Sequence, residues 1–317
     1  MKIIKLQFPN TYENPKKEFV LAMGYFDGLH LGHQAVLNKA KDLAEKQQLK
    51  LAVLTYDQSP TSFYDPDPAL KFPILPLQEK LAMLADLAVD TSYVINYSLD
   101  FGSQSPQSYV DHYLAKLGAI AVVAGFDHTY GSLAKKADMD HLPGYAAGRF
   151  QVVAVNEFAD FSGKISSTRI RQLLIKGDLR AANALLGYQY QTVGKVVYGN
   201  QIGRKLGFPT ANLSLNEKQL LPKTAVYAVR TKILTGKLAG RFFDGMASIG
   251  HNQTFGDDNP MTIEINLFAF SADIYNEKIA VFWIDYLREQ VKYSNVTELI
   301  SQLKQDQINS QRILGQK

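Results

Sequence analysis

The sequence changes its hydrophobic rhythm near residue 188, and that change limits the chain to two architectures in succession. Before it, short apolar runs alternate with stretches whose apolar residues recur at helical spacing. "FVLAMG" reads as a buried strand and "GHQAVLNKAKDLAEKQ" as the amphipathic helix after it, with Val36, Leu37, Ala40 and Leu43 on one stripe. "KLAVLTY" is a second strand; "PLQEKLAMLADLA", "SYVINY", "SPQSYVDHYLAKLG", "AIAVVAG" and "FQVVAV" continue the alternation. Ser105 is placed to cap a helix whose first residue is Pro106. Strand, glycine turn, helix, strand is the order of a parallel sheet covered by helices, an αβα domain. "SSTRIRQLLIKGDLRAANALLG" then reads as two short helices divided at Gly177.

After residue 188 strand candidates follow one another without long helices: "QTVGKVVYG", "AVYAVRTKI", "RFFDGMASIG", "MTIEINLFAF" and "KIAVFWIDYL". Short alternating strands between turn residues predict a closed antiparallel barrel. A last helix, Val296 to Ile308, is expected to pack on it. The 317 residues are enough for two cores, and the boundary falls between Leu186 and Gln191, giving domains 1–187 and 188–317.

Composition narrows the chemistry. The chain has no cysteine, which excludes disulfides, thiolate nucleophiles and cysteine-based zinc or iron–sulfur sites. The net charge is only +4, but Lys195 to Arg241 holds nine Lys and Arg against one acid, Glu217. Such a field suits an anionic ligand. Nucleic acid is the wider reading of the same charge, yet no aromatic stacking series interleaves it, so no nucleic-acid partner is expected. No run approaches the ~20 apolar residues of a membrane span, and the first twenty residues are too broken by Lys, Pro, Asn and Glu for a signal peptide. A cytoplasmic location is expected, with no membrane association and no obligate protein partner; the sequence leaves the oligomeric state open.

The first constellation is "GYFDGLHLGHQ", Gly24 to Gln34. Its glycines follow a strand and precede a helix, where backbone N–H groups and the helix dipole favour an anion. His30 and His33 share one side of a first helical turn if helical geometry begins near Leu29. Two imidazoles there can donate to phosphate oxygens and stabilise charge as a P–O bond breaks. A metal reading needs a third ligand, for which Asp27 is available, and a turn filled by structural histidines is the plain alternative.

These residues carry a resemblance. "GYFDGLHLGH" resembles the HxGH signature of nucleotidyltransferases, in the GxFDGxHxGH form of the prokaryotic bifunctional riboflavin kinase/FMN adenylyltransferases, the FAD synthetases. "AGFDHTYG", residues 124–131, resembles that family's DFxFG segment, and "ISSTRIRQLLIKGDLRAANALLG", residues 165–187, its ISSTRIR segment. The resemblance implies a Rossmann-like αβα nucleotidyltransferase domain in which His30 and His33 hold ATP phosphates. It places Gly24, Phe26, Asp27 and Gly28 in the nucleotide loop and has Asp127 arrange the substrates. Ser166, Ser167, Thr168 and Arg169 would form a phosphate-facing loop, with Arg169 catalytic. On physical grounds Ser167 or Thr168 can cap the following helix, leaving nearby N–H groups and Arg169 for an anion. The equally simple reading is a plain helix cap and a solvated arginine. In "LTYDQSP", Gln58 and Ser59 stand where many relatives have a histidine-containing FxPHP stretch.

The second constellation is "GRKLGFPTANL", Gly203 to Leu213. Glycine and proline make a regular strand unlikely before Pro209, and Thr210 and Asn212 then place a hydroxyl and an amide two residues apart. Such hard oxygen donors suit magnesium at a nucleotide phosphate, and a barrel turn with local Thr or Asn backbone bonds explains them as well. "GKVVYGNQIGRKLGFPTANL" resembles the flavokinase entrance loop and PTAN motif, which implies MgATP binding by Thr210 and Asn212 and places Gly203 and Arg204 beside the nucleotide. In "TIEINLF", Thr262, Glu264 and Asn266 share one strand face, opposite Ile263, Ile265 and Leu267. The resemblance makes Glu264 the base for the ribityl hydroxyl of riboflavin. "YLREQVKY" resembles the LRxExxF element, with Arg288 a candidate substrate or nucleotide contact or, beside Trp283 and Tyr286, a packing residue.

Departures cluster in this half. Asn252 and Gln253 replace an arginine and a proline, Gln290 replaces an acid, and "FAFSADIYNEK" lacks an aspartate before Phe270 and a glycine after Tyr275. The implied activity is phosphorylation of riboflavin to FMN, then adenylylation of FMN to FAD with release of pyrophosphate. Mg2+ would assist, ATP is the co-substrate, and riboflavin, FMN and FAD are substrates or products. The alternative is a monofunctional FMN adenylyltransferase with an impaired kinase-like barrel.

Overall fold

Two units, Met1–Ser167 and Thr168–Lys317, make up the computed structural model of the chain. It describes all residues except 15, 17, 66–71, 133–136, 200, 216, 252–260 and 316–317.

In the first unit the apolar runs form β1 (Lys2–Leu6), β2 (Phe19–Met23), β3 (Lys50–Tyr56), β4 (Thr91–Ile95), β5 (Ala119–Gly125) and β6 (Gln151–Val155). They make one sheet in the order β1-β4-β3-β2-β5-β6, with every neighbouring pair parallel. All five residues of β2 are buried: Leu21 and Met23 enter one core layer, Val20 and Ala22 the other. That is why the parallel strands read as continuous apolar runs. Helices α1 (Leu31–Lys46) and α2 (Leu77–Asp86) cover one face, and α1 buries Val36, Leu37, Ala40 and Ala44. The expected Leu43 is half-buried beside Ala44. The other layer contains α3 (Leu99–Ser103), α4 (Pro106–Tyr109), its more loosely wound π-helical continuation Val110–Ala115, and α5 (Leu142–Ala146). Ser105 caps α4, accepting the Ser108 N–H at 3.1 Å, and Pro106 is its first residue. A short hairpin, β7 (Ala159–Asp160) and β8 (Gly163–Lys164), precedes the unit boundary. Strand β1 escapes the sequence pattern because it is an edge strand, mostly exposed and interrupted by Lys5.

Helices α6 (Ser167–Lys176) and α7 (Leu179–Leu186) divide at Gly177, φ 82°, and Asp178 caps α7 through the Ala181 N–H at 3.1 Å. Apart from Ser167, both lie in the second unit, some twenty residues ahead of the boundary expected from the sequence. The physical reason is Asn183 on α7. Its amide donates to the Trp283 carbonyl at 2.9 Å and accepts the Tyr190 N–H at 2.7 Å, tying the helix to the barrel.

The barrel consists of β9 (Gln191–Val197), β10 (Ala211–Leu215), β11 (Ala225–Ile233), β12 (Phe242–His251), β13 (Met261–Leu267) and β14 (Lys278–Arg288), with the short helix α8 (Ile202–Lys205) between β9 and β10. It closes in the order β10-β13-β12-β11-β14-β9, antiparallel throughout. Closure removes the sheet edges. Trp283 is fully buried, and its indole N–H finds the Thr192 hydroxyl at 2.9 Å. The last helix, α9 (Val296–Ile313), runs past the expected Ile308; Asn295 caps it through the Glu298 N–H at 2.9 Å.

Candidate active sites

In the parallel sheet, β2 lies between β3 on one side and β5 on the other, so the topological switch falls at β2 and β5. Ligand crevices open at the carboxyl ends of strands at such a point. Gly24–Gln34 leaves the end of β2 and Asp127 follows the end of β5, so two motifs about a hundred residues apart stand at the same end of adjacent strands.

The loop after β2 is conformationally unusual. Phe26 (φ 57°), Gly28 (φ 77°) and Leu29 (φ 40°) all enter the left-handed region. For the two non-glycine residues this costs roughly 1–3 kcal/mol each, and such strain persists only where the surroundings impose it. Gly24 N–H bonds Leu54 O at 3.1 Å, and the buried Phe26 ring meets His33 edge-on with centroids 5.4 Å apart. The Asp27 carboxylate, buried, receives the N–H groups of Ile74 and Leu75 at 2.9 and 3.4 Å, while its carbonyl accepts the Ser167 hydroxyl at 2.9 Å. Asp27 therefore secures the loop. Its carboxylate faces main-chain donors, and among the described residues no group of three or more His, Asp or Glu could hold a metal ion.

His30 precedes the helix as its cap. Helical geometry begins at Leu31, two residues later than the sequence reading assumed, so the histidines are related by capping and stacking. His30 Nδ1 accepts the His33 N–H at 3.3 Å, and the rings stack at 3.6 Å between centroids with 18° between planes. A Cβ on Gly32 would sit 3.2 Å from the His30 ring, so the glycine permits this close approach. Burial, followed by the nearby Lys164 ammonium, pushes His30 down to about 4, with Asp127 opposing. Burial, then His30 and Lys80, holds His33 well below the usual imidazole range. Both rings are neutral at pH 7. Because Nδ1 of His30 accepts, its proton belongs on Nε2, which becomes a donor.

Asp127 is exposed and ion-paired with Lys164 of β8, whose ammonium also lies 5.1 Å from the Phe126 ring centroid. Lys164 was not singled out by its local sequence, because only the hairpin brings it to Asp127. The SSTR segment differs from expectation in one respect. The helix starts at Ser167, so Ser166 occupies the position before it, and the Ser167 hydroxyl donates to Asp27 O instead of capping. Thr168 is exposed and Arg169 half-buried; both fall in the second unit. Gln58, in the departure from the FxPHP pattern, ties its amide to Tyr97 O at 3.0 Å, and Ser59 opens a short 3-10 turn.

In the barrel, strand register assembles the second site. Glu264 on β13 lies opposite Asn212 on β10 and Ser248 on β12. The Thr210 hydroxyl donates to Glu264 Oε2 at 3.3 Å, joining the PTAN segment to the acid. Ile263, Ile265 and Leu267 are buried as expected, with Thr262 and Glu264 half-buried on the other face. Asn266 is buried too, because its amide holds Pro209 O at 2.7 Å. A Cβ on Gly199 would lie 2.2 Å from the Asn212 amide nitrogen, so a side chain there would displace Asn212. A cleft of about 510 Å³ is lined by Tyr198, Gly199, Asn212, Thr262 and Glu264, among others. Gly203 accepts the Phe208 N–H at 2.8 Å, and Arg204 is exposed in the last turn of α8.

Arg288 is engaged by the last helix. Its Nε and Nη2 bind Asp306 of α9 at 2.7–3.0 Å and its Nη1 binds Glu289 O at 2.9 Å, with Asp306 only 1% exposed. It anchors the last helix to the barrel. Gln290 donates to Ser248 Oγ at 2.7 Å and to Ile249 O at 3.1 Å; an ionised acid could accept from the Ser248 hydroxyl but could not bond the carbonyl. Asn276, in place of the common glycine, has φ 66°, a conformation asparagine tolerates better than most residues. Tyr275 stacks on Tyr198 with centroids 3.9 Å apart. Asn252 and Gln253 lie outside the described residues.

Comparison with known proteins agrees with both constellations. Residues 12–169 match the FAD synthetase family and residues 186–314 the riboflavin kinase family. The bifunctional riboflavin kinase/FMN adenylyltransferase of Listeria monocytogenes is 43% identical over 97% of this chain and 96% of its own length. The chain belongs to the bifunctional riboflavin kinase/FMN adenylyltransferase family. The Bacillus subtilis member is 36% identical over 96% of both chains. A crystal structure described as a macrolide-efflux protein from Streptococcus pneumoniae superposes with a TM-score of 0.87 at 36% identity, covering 97% of this chain and 99% of that one. No helix among the described residues is long and apolar enough to cross a membrane. In this bifunctional chain most of α6 and α7 falls between the two family matches.

Proposed function

We propose that residues 188–317 phosphorylate riboflavin and residues 1–187 adenylylate the product, with His30 and His33 serving the second reaction and Glu264 the first. The protein is an ATP-dependent riboflavin kinase and FMN adenylyltransferase. The observation that carries this conclusion is the near full-length match to bifunctional relatives, with each half aligned to one of the two family models.

In the barrel, Glu264 accepts the proton of the ribityl hydroxyl as that oxygen attacks the γ-phosphorus of ATP; the bond to the ADP oxygen breaks, giving FMN and ADP. Thr210 and Asn212 supply hard oxygen donors beside Glu264 at an open cleft, and this donor set fits Mg2+. When bound, Mg2+ would neutralise phosphate charge and hold the phosphoryl group for in-line transfer. The Thr210 hydroxyl directs its proton to Glu264, leaving oxygen lone pairs for the cation. Gly203 and Arg204 border the nucleotide in this reading, whereas Arg288 acts through the position of the last helix.

In the first unit a phosphate oxygen of FMN attacks the α-phosphorus of a second ATP, forming the new P–O bond as the bond to pyrophosphate breaks. The nucleophile is already ionised, so the chain need not supply a base. His30 Nε2–H and His33 meet phosphate oxygens in fixed orientation, and Asp127 and Ser166 border the substrates in this reading. Purified protein given riboflavin and MgATP should form FMN and then FAD. Conversion of added FMN to FAD without phosphorylation of riboflavin would overturn the bifunctional assignment in favour of a monofunctional adenylyltransferase.

A further inference from the structure

Lys80 lies on the buried face of α2 with Leu84 and is 1% exposed. Its three ammonium protons have three acceptors at the carboxyl ends of β2 and β3: Tyr25 O at 2.9 Å, Thr55 Oγ1 at 3.1 Å and Tyr56 O at 3.1 Å. The Thr55 hydroxyl donates to the same Tyr25 carbonyl at 2.9 Å, and the ammonium sits 4.3 Å from the Tyr25 ring centroid. Asp27 returns the contact through the N–H groups of Ile74 and Leu75, just ahead of α2. Thus α2 grips the loop through Lys80, while the loop grips the approach to α2 through Asp27. Between Tyr25 and His30 lie the left-handed residues Phe26, Gly28 and Leu29, and the strain at Phe26 and Leu29 requires restraint from outside the loop.

A buried lysine is unfavourable unless its charge and donors are matched, and an apolar side chain would fill the same helix face without that desolvation. A structural reason for helix packing alone is therefore weak. The Lys80 ammonium instead bonds the start of the histidine loop at Tyr25 and the end of the neighbouring strand β3.

We propose that Lys80 is a positioning residue for adenylyl transfer, fixing the Tyr25 carbonyl and, with Asp27, clamping the loop that sets where the His30 and His33 ring N–H groups stand. This rests on the reading of the first unit as the adenylyltransferase. The titratable groups around the ammonium are Asp27 from the loop, Asp57 from the segment after β3 and the neutral imidazole of His33 from α1, with the Tyr25 ring over it. Burial brings Lys80 down to about 8, with Asp27 and then Asp57 opposing. Asp57 is itself held by the Asn96 amide at 2.6 Å and the Tyr97 N–H at 2.9 Å.

The test uses full-length protein carrying Lys80→Met, Lys80→Arg or Thr55→Val, with FMN adenylylation and riboflavin phosphorylation measured on the same sample across pH. Lys80→Met should lower kcat for adenylylation by roughly 30-fold or more with KM for ATP changed less than about threefold, since the loss is one of alignment. Riboflavin phosphorylation should stay within about twofold of the unaltered protein, as expected for an independent site. In the unaltered protein, adenylylation should decline as pH rises through about 8, when the ammonium loses its proton. That decline should vanish in Lys80→Met and move to higher pH in Lys80→Arg, whose guanidinium stays charged. Thr55→Val, which removes one acceptor of the ammonium, should move it to lower pH. Folded Lys80→Met with adenylylation within about threefold of the unaltered protein would overturn the proposal. So would an unmoved alkaline decline in Thr55→Val, a result that remains decisive if Lys80→Met does not fold. Failure of the unaltered protein to convert FMN to FAD would instead overturn the underlying reading.

Discussion

The two candidate sites are built from opposite materials. At the end of β2 two stacked neutral imidazoles and a strained loop stand beside a buried carboxylate turned onto main-chain N–H groups. In the barrel the groups are half-buried oxygen side chains, aligned by strand register and bordering an open cleft. On the functions proposed above, the difference follows from the nucleophiles. A phosphate arrives ionised and requires only oriented donors, whereas a ribityl hydroxyl requires a base and its nucleotide a cation.

The sharpest way to break this contrast is to remove the proposed base. Glu264→Gln should lower riboflavin phosphorylation by about 10²–10⁴-fold, within the range of general-base losses, and leave FMN adenylylation nearly unchanged. Steady-state assays of the two half-reactions check it. His33→Ala is the counterpart, with an expected loss of about 10²–10³-fold in adenylylation, comparable to removal of one preorganised donor. Riboflavin phosphorylation by that variant should persist.

Structural variants sharpen the contrast from outside chemistry. Arg288→Ala leaves Asp306 buried without its bidentate partner and should destabilise the barrel by about 3–5 kcal/mol. Denaturant melts should show the barrel transition moving to lower midpoint; an unmoved transition would remove Arg288 from the role of anchor. A smaller effect is expected from pH on the first unit. His30 has its folded pKa lowered to about 4 from an ordinary 6.5, so the unfolded chain binds the extra proton between those values. Its stabilising contribution is full above pH 6.5 and is lost as pH falls towards 4, on the order of 3 kcal/mol at most. Melting followed over that window should decline towards acid, and less steeply in His30→Asn.

Much of this was legible where the signal is local. The apolar runs, the Ser105–Pro106 helix start and the division at Gly177 stand in the structure as their residues dictate. The histidine pair and the PTAN segment were likewise visible as motifs, although their geometry was not: His30 capping α1 depends on where the helix begins. What escaped needs distant partners. The pairing of Arg288 with Asp306 joins residues 18 positions apart on different elements, and Lys164 meets Asp127 only through a hairpin. Lys80 left a trace, a charge in phase with Leu84 on an apolar face, but its acceptors on β2 and β3 are invisible from the helix alone. The placement of α6 and α7 depended on Asn183 finding the barrel, which a boundary drawn from hydrophobic rhythm could not anticipate.

The separateness of the two centres is tested most directly by mixing His33→Ala with Glu264→Gln protein and supplying riboflavin and MgATP. Each variant alone should make little or no FAD from riboflavin, and the mixture should make it readily, because FMN released by the first variant is adenylylated by the second. A mixture yielding no more FAD than the separate proteins, with both variants folded, would contradict two independent centres.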